Sequence, residues 1–308
     1  MNRVFKWVGV GILGLVALAG LGMGAVYALA EREIRRQYDV PLANIVVPHD
    51  AESIAKGKRL ATIYGCFNSC HGDRMQGLTL VDEPGIARIN APNLTRVVRE
   101  YTDAQLERLI RHGVKRDGTS TWLMPSPMFS HMSDEDLGDV IAFVRSSPVL
   151  DGPMREVNVR MLGRIGIVTG KFKPLASTIA RGEHHPATTD RSDPLTFGRY
   201  VVMTTCTECH GQDLQGTDFA KAPSLVVTAG YSEAAFRHLM KTGIGIGDRK
   251  LGLMAEVSET RFANFTEEEL QAVQTYLGTR FGNLALAGAA DAGKPTAARV
   301  TPEAGDRS

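Results

Sequence analysis

Cys206-Thr207-Glu208-Cys209-His210 is a C-x-x-C-H run, the spacing that suits covalent attachment of a c-type haem. The two thiols can form thioethers to the haem vinyl groups, and the adjoining histidine can then reach the iron as an axial ligand. An imperfect copy lies upstream, Cys66-Phe67-Asn68-Ser69-Cys70-His71, with three residues between the thiols instead of two. Its extra residue must bulge outward if both thiols are to meet the same two vinyls. The chain has four cysteines, and the two runs use all of them. No thiol is left for a separate disulfide or a catalytic nucleophile. Competing chemistry is weaker. A zinc site built on C-x-x-C needs two further Cys or His ligands at matching spacing. A redox dithiol has no need of the histidine that follows. For the upstream copy the plain alternative is a local disulfide or two buried thiols.

The elements that would position these groups occur twice. His71-Gly72-Asp73-Arg74-Met75-Gln76-Gly77 is answered by His210-Gly211-Gln212-Asp213-Leu214-Gln215-Gly216. Ala91-Pro92-Asn93-Leu94 is answered by Ala222-Pro223-Ser224-Leu225, with several extra residues before it in the first copy. Leu109-Ile110-Arg111-His112-Gly113 is answered by Leu239-Met240-Lys241-Thr242-Gly243. Each unit closes with an amphipathic helix. Ser133 or Thr266 stands at the N-cap, acids fill the first turn, and apolar residues follow at three-and-four spacing. Phe143 and Tyr276 occupy the same place in these helices. The spacing thus predicts two versions of one domain, residues 51–148 and 194–283, each of small-domain size. Aromatics are scarce at 6%, so a buried haem would supply apolar core that short units barely provide.

A proximal histidine leaves one iron position to fill, and methionine there raises the reduction potential and suits electron transfer. The chain has eleven methionines, so register must choose among them. Met124 lies eleven residues after Gly113, and Met254 lies eleven after Gly243. Met128 and Met132 have no counterparts at matching offsets, and core filling is their plainer role. Met124 and Met254 are therefore the candidate sixth ligands. Met124 precedes Pro125, in a loop from which a thioether can drop onto iron; Met254 has no such proline. The rival histidines are His112 and His238 in amphipathic stretches, His131, His184-His185-Pro186 in a polar linker, and His49 ahead of the first domain.

Together these residues resemble class I cytochrome c domains in tandem, as in membrane-anchored dihaem c-type cytochromes. The matching elements are C-x-x-C-H, the downstream Ala-Pro-x-Leu, the ligand methionine and the closing helix with its aromatic. The resemblance covers most of residues 51–283, and the extra residue between Cys66 and Cys70 departs from it. It implies an all-α fold, two covalently bound haem c groups and iron held by His71 with Met124 and by His210 with Met254. It implies that an opening helix crosses the closing helix in each unit, with Gly57 and Gly198 permitting the approach. It also implies that the Pro92 and Pro223 carbonyls accept from His71 and His210, a contact that sets ring orientation and basicity.

Before the first unit, residues 1–6 are followed by an uncharged run over 7–30, long enough to cross a hydrocarbon core of about 30 Å as a helix. An uncleaved transmembrane anchor is the favoured reading. Ala28-Leu29-Ala30 resembles a cleavage site, so a removed signal segment is the alternative. Flanking charges do not settle orientation. The resemblance does: covalent haem attachment in bacteria takes place outside the cytoplasmic membrane. It implies a single pass through the bacterial inner membrane, with residues 1–6 cytoplasmic and the haem domains in the periplasm. Residues 149–193 join the units and carry an apolar patch (Val157, Val159, Met161, Leu162, Ile165, Ile167, Val168) that must pack on a domain or lie near the membrane. The tail over 284–308, rich in Ala, Gly, Pro and Thr, is expected to be disordered.

The net charge is +1, with no basic stripe, which argues against nucleic-acid binding. Balanced charge gives little long-range steering toward redox partners; a membrane tether would compensate by raising effective concentration. The leading expectation is an electron carrier, not a catalyst. Its partners would be a periplasmic dehydrogenase, the quinol-oxidising complex or a terminal oxidase. The second expectation is the cytochrome subunit of a multisubunit periplasmic dehydrogenase. The third, a dihaem peroxidase or thiosulfate-oxidising enzyme, needs an open or unusually ligated iron, against which the paired Met124 and Met254 speak.

Overall fold

The computed structural model describes residues 2–153, 156–179, 188–218 and 220–292. His184, His185 and Pro186 lie outside the described residues, as does the tail from 293 onward. The chain opens with α1 (Asn2–Ile34), which is long and apolar enough to cross a membrane. The segment after it runs along the first unit. The Tyr38 amide donates to the Gly118 carbonyl at 2.9 Å, and Ile45 and Val47 pack on the core.

The first unit contains α2 (Ala51–Ile63), the antiparallel hairpin β1 (Leu78–Glu83) and β2 (Ala87–Ala91), the short α3 (Leu94–Val97), then α4 (Asp103–His112), α5 (Ser126–Phe129) and α6 (Asp134–Ser146). The joining segment follows with β3 (Glu156–Val159) and α7 (Met161–Val168). The second unit contains α8 (Pro194–Thr205), the single turn α9 (Thr207–His210), α10 (Glu233–Thr242), a two-residue pair β4 (Ile244–Gly245) and β5 (Arg249–Lys250), α11 (Leu253–Thr260) and α12 (Glu267–Ala292). The fold is mostly helical.

Side-chain caps set the helix starts as the sequence predicts. Ser133 accepts from the Asp136 amide, and Thr266 and Glu269 form a reciprocal capping box at the start of α12. In each unit the opening helix crosses the closing one at a glycine. A Cβ on Gly57 would stand 1.9 Å from the Asp139 carbonyl oxygen of α6, and one on Gly198 would stand 1.9 Å from the Ala272 oxygen of α12. No side chain fits there. Phe143 and Tyr276 lie beside the two crossings, as their matched positions imply.

The sheet and the length of the closing helix depart from the sequence expectations. The extra residues of the first copy form β1 and β2, and β3 from the connecting segment joins them as a third antiparallel strand. Val157 and Val159 meet Ile89 and Ala87 across that ladder, a local pairing that a helix-period reading overlooks. The segment carrying the apolar patch therefore lies on the first unit through β3 and on the end of α1 through α7, with Ile167 buried and Leu162, Ile165 and Val168 left exposed. The closing helix α12 continues to Ala292, into the stretch expected to be a disordered tail.

Candidate functional site

The two motif loops are built on the same hydrogen-bond frame. In the first, the Gly77 amide donates to the His71 carbonyl and the Leu94 amide to the Met75 carbonyl, at 2.8 and 2.9 Å. In the second, Gly216 donates to His210 and Leu225 to Leu214 at the same two distances. Gly77 and Gly216 have φ of 93° and 95°, in the left-handed region that favours glycine. The extra residue between Cys66 and Cys70 is absorbed at Asn68, whose φ is 57°. Asparagine tolerates that conformation better than most residues. Cys206 to His210 instead makes one helical turn, closed by the His210 amide on the Cys206 carbonyl at 3.0 Å.

His71 Nδ1 lies 2.9 Å from the Pro92 carbonyl oxygen, and His210 Nδ1 lies 2.8 Å from that of Pro223. Each ring donates Nδ1–H there, which leaves the lone pair of the neutral imidazole on Nε2. Burial pushes both rings below the ordinary histidine value, and the carbonyls offset this only in part, so the neutral ligand form prevails at pH 7. None of the four cysteines forms a disulfide. Burial pushes the thiol of Cys66 up to about 12 and that of Cys206 up to about 11. Two unpaired thiols and one Nε2 donor per loop are the donor set a c-type haem requires, so both loops fit the group.

The methionine segments also share one register. After α4 ends at Gly113, the Thr121 amide returns to the Gly113 carbonyl at 2.7 Å; after α10 ends at Gly243, the Leu251 amide returns to the Gly243 carbonyl at 3.2 Å. Met124 and Met254 each come three residues after that return. Both are partly buried against the core. Met124 is in a loop, whereas Met254 is in the first turn of α11. Met128 and Met132 are each 1% exposed and pack within the core. Among the rival histidines, His131 Nε2 meets Gln212 Oε1 at 2.9 Å, His112 Nε2 lies 3.5 Å from Glu107, and His49 and His238 are exposed.

What brings the two loops together has no signature in the sequence. Arg261, 5% exposed, extends from the end of α11 into the first unit. Its Nε donates to the Ile63 carbonyl at 2.8 Å and its Nη1 to Glu208 at 3.2 Å. A Cβ on Gly65, next to Cys66, would stand 3.3 Å from the guanidinium carbon. Cys70 and Cys209 are close enough for charge on one to oppose ionisation of the other, and both sense Glu208 and Arg261. Glu208 sits inside the C-x-x-C run, where sequence reasoning treats it as spacing. Further contacts join the units: Arg59 grips Glu269 with two hydrogen bonds of 2.8 and 2.9 Å, and Tyr200 donates to Asp136 at 2.6 Å. One continuous set of buried apolar residues runs from Leu60 and Tyr64 through Phe197 and Phe265 to Leu277.

Comparison with known proteins agrees with this duplicated architecture. The family model for cytochrome c oxidase, cbb3-type, subunit III matches residues 52–144, and the cytochrome c model matches residues 196–280. The chain is 27% identical over 296 residues to the fructose dehydrogenase cytochrome subunit of Gluconobacter japonicus, covering 84% of this chain and 58% of that protein. It is 27% identical over 269 residues to the cytochrome c subunit of the quinone alcohol dehydrogenase of Gluconacetobacter polyoxogenes, covering 74% of this chain and 56% of that protein. A protein of the same description from Komagataeibacter europaeus matches to the same extent. The chain thus spans a little over half the length of these relatives.

Proposed function

Because this chain is a dihaem c-type cytochrome, an electron-transfer protein and not a catalyst, we propose that it serves as the membrane-anchored electron-accepting subunit of a dehydrogenase complex. Haem c, when bound, supplies the one-electron chemistry. The residues of the chain bind, orient and bury it. Cys66 with Cys70, and Cys206 with Cys209, would make the thioether links. His71 and His210 would hold the irons through Nε2, and Met124 and Met254 would each supply a second protein ligand. Pro92 and Pro223 would fix the histidine rings.

The observation that carries the reading is the meeting of the two motif loops at Arg261 and Glu208. Electrons entering at one site have a short path to the other without leaving the protein. The relatives favour the dehydrogenase-subunit reading over a free-standing carrier, since they are themselves named as cytochrome subunits of dehydrogenases. α1 would be retained as a single span of the bacterial inner membrane, with the haem domains in the periplasm.

The test is intact mass together with pull-down from solubilised membranes. Two covalent haems, a retained amino terminus and a co-purifying dehydrogenase subunit support the reading. A single haem would remove the path through the first unit. Rapid cyanide binding by the oxidised protein would show an open iron and count against Met124 and Met254 as ligands.

A further inference from the structure

Away from the motif loops, α7 leaves an apolar face uncovered. Leu162, Ile165 and Val168 are 58, 40 and 40% exposed, and Phe172, just beyond the helix, is 44% exposed. Steps of three place the first three on one side of α7. Isolated exposed leucines need no explanation, but a contiguous patch does. Exposed Lys171 and Lys173 flank Phe172.

The attachment of α7 indicates what covers this face. The opposite side, with Gly163, Gly166 and Ile167, is buried. Arg164 lies over the Tyr27 ring of α1 at 3.9 Å from its centroid and donates to Glu31 at 2.9 Å. Ala30 is fully buried. These contacts latch α7 to the last turns of the apolar helix. Trp7 and Tyr27 are 20 residues apart in α1, about 30 Å at 1.5 Å per residue. That is the thickness of a hydrocarbon core. Trp and Tyr gather at the two membrane–water interfaces. Tyr27 therefore marks the interfacial level on the domain side, and α7 is held at that level. Apolar side chains beside lysines are the composition of a helix that rests in the headgroup region.

Resting on the reading of α1 as a membrane span, we propose that the exposed face of α7 is a second membrane contact. It inserts shallowly into the leaflet next to the haem domains. Leu162, Ile165, Val168 and Phe172 reach the acyl boundary, while Lys171 and Lys173 meet anionic headgroups. The bilayer, not a protein, is the occupant, because the face starts where the span ends.

Nitroxide accessibility tests this in the full-length, haem-loaded chain, in vesicles of phosphatidylcholine and phosphatidylglycerol. Thioether formation protects the native cysteines from labelling. Single labels go at I165C and V168C, with V16C as a label inside the span and H238C as a label in water. The proposal expects Ile165 and Val168 positions to lose most of the nickel-chelate accessibility seen at position 238 and to gain oxygen accessibility. If position 16 is shielded while 165 and 168 stay as nickel-accessible as 238, the membrane contact is overturned and the span stands. If position 16 is itself nickel-accessible, the span falls and the contact with it. Shielding of 165 and 168 that appears only on adding a dehydrogenase subunit assigns the face to a protein and overturns the proposal.

Discussion

Asn68 lets five residues span what four span in the second unit, by turning left-handed at φ 57°. A side chain that resists this turn should prevent the thiols from meeting one haem, since left-handed backbone costs most residues about 1–2 kcal/mol. N68V is expected to lower covalent haem loading at Cys66 and Cys70, read by intact mass, and N68G to retain it. The methionines divide in a similarly testable way. M254A should lower the potential of the second haem and admit small ligands. M128A should leave haem spectra intact while costing about 2–5 kcal/mol, because Met128 is buried filler. An unchanged potential in M254A would refute the ligand assignment. Motifs and register were legible in the sequence because the repeat preserves spacing. Arg261 was not: its partners Ile63 and Glu208 are 198 and 53 residues away, and no local pattern records a contact that closes only on folding.

At the scale of elements, the glycine crossings and caps were legible because both repeat. The hairpin and α7 were not, since each lies in a stretch with no counterpart in the other copy. G198A should force α8 away from α12, costing about 1–3 kcal/mol or more as an overpacked contact, visible as a lower melting temperature of the second unit. α4 carries a pH-sensitive tie. Burial pushes the Glu107 carboxyl up, but the His112 hydrogen bond and the Arg111 charge pull harder, so its value falls below the ordinary 4.5. Arg111 in turn donates to the Met132 carbonyl at 2.8 Å, joining α4 to the loop ahead of α6. A carboxylate depressed in the folded state stabilises the protein above the unfolded value and ceases to do so as pH falls through the folded value. Stability should therefore decline on acidification below about pH 4.5, and E107Q should flatten that part of the profile in denaturant titrations.

For the whole molecule, the two units share one interface rather than a flexible joint. R59A would leave Glu269, 4% exposed, without its two-pronged partner. The expected loss is about 1–3 kcal/mol by denaturation, together with slower electron equilibration between the haems in flash reduction, because the motif loops are no longer held face to face. The joint between α1 and the first unit has the same character. Hydrogen bonding of Tyr38 to Gly118, packing of Ile45 and Val47, and the grip of Arg164 on Tyr27 and Glu31 leave little slack between α1 and the first unit. With α1 spanning the membrane as proposed, such a mounting would not let the haem pair sweep a hemisphere above the lipid. It would hold their edges at one altitude and one bearing, so that partners would be sorted by the height and heading of their own redox centre as well as by driving force.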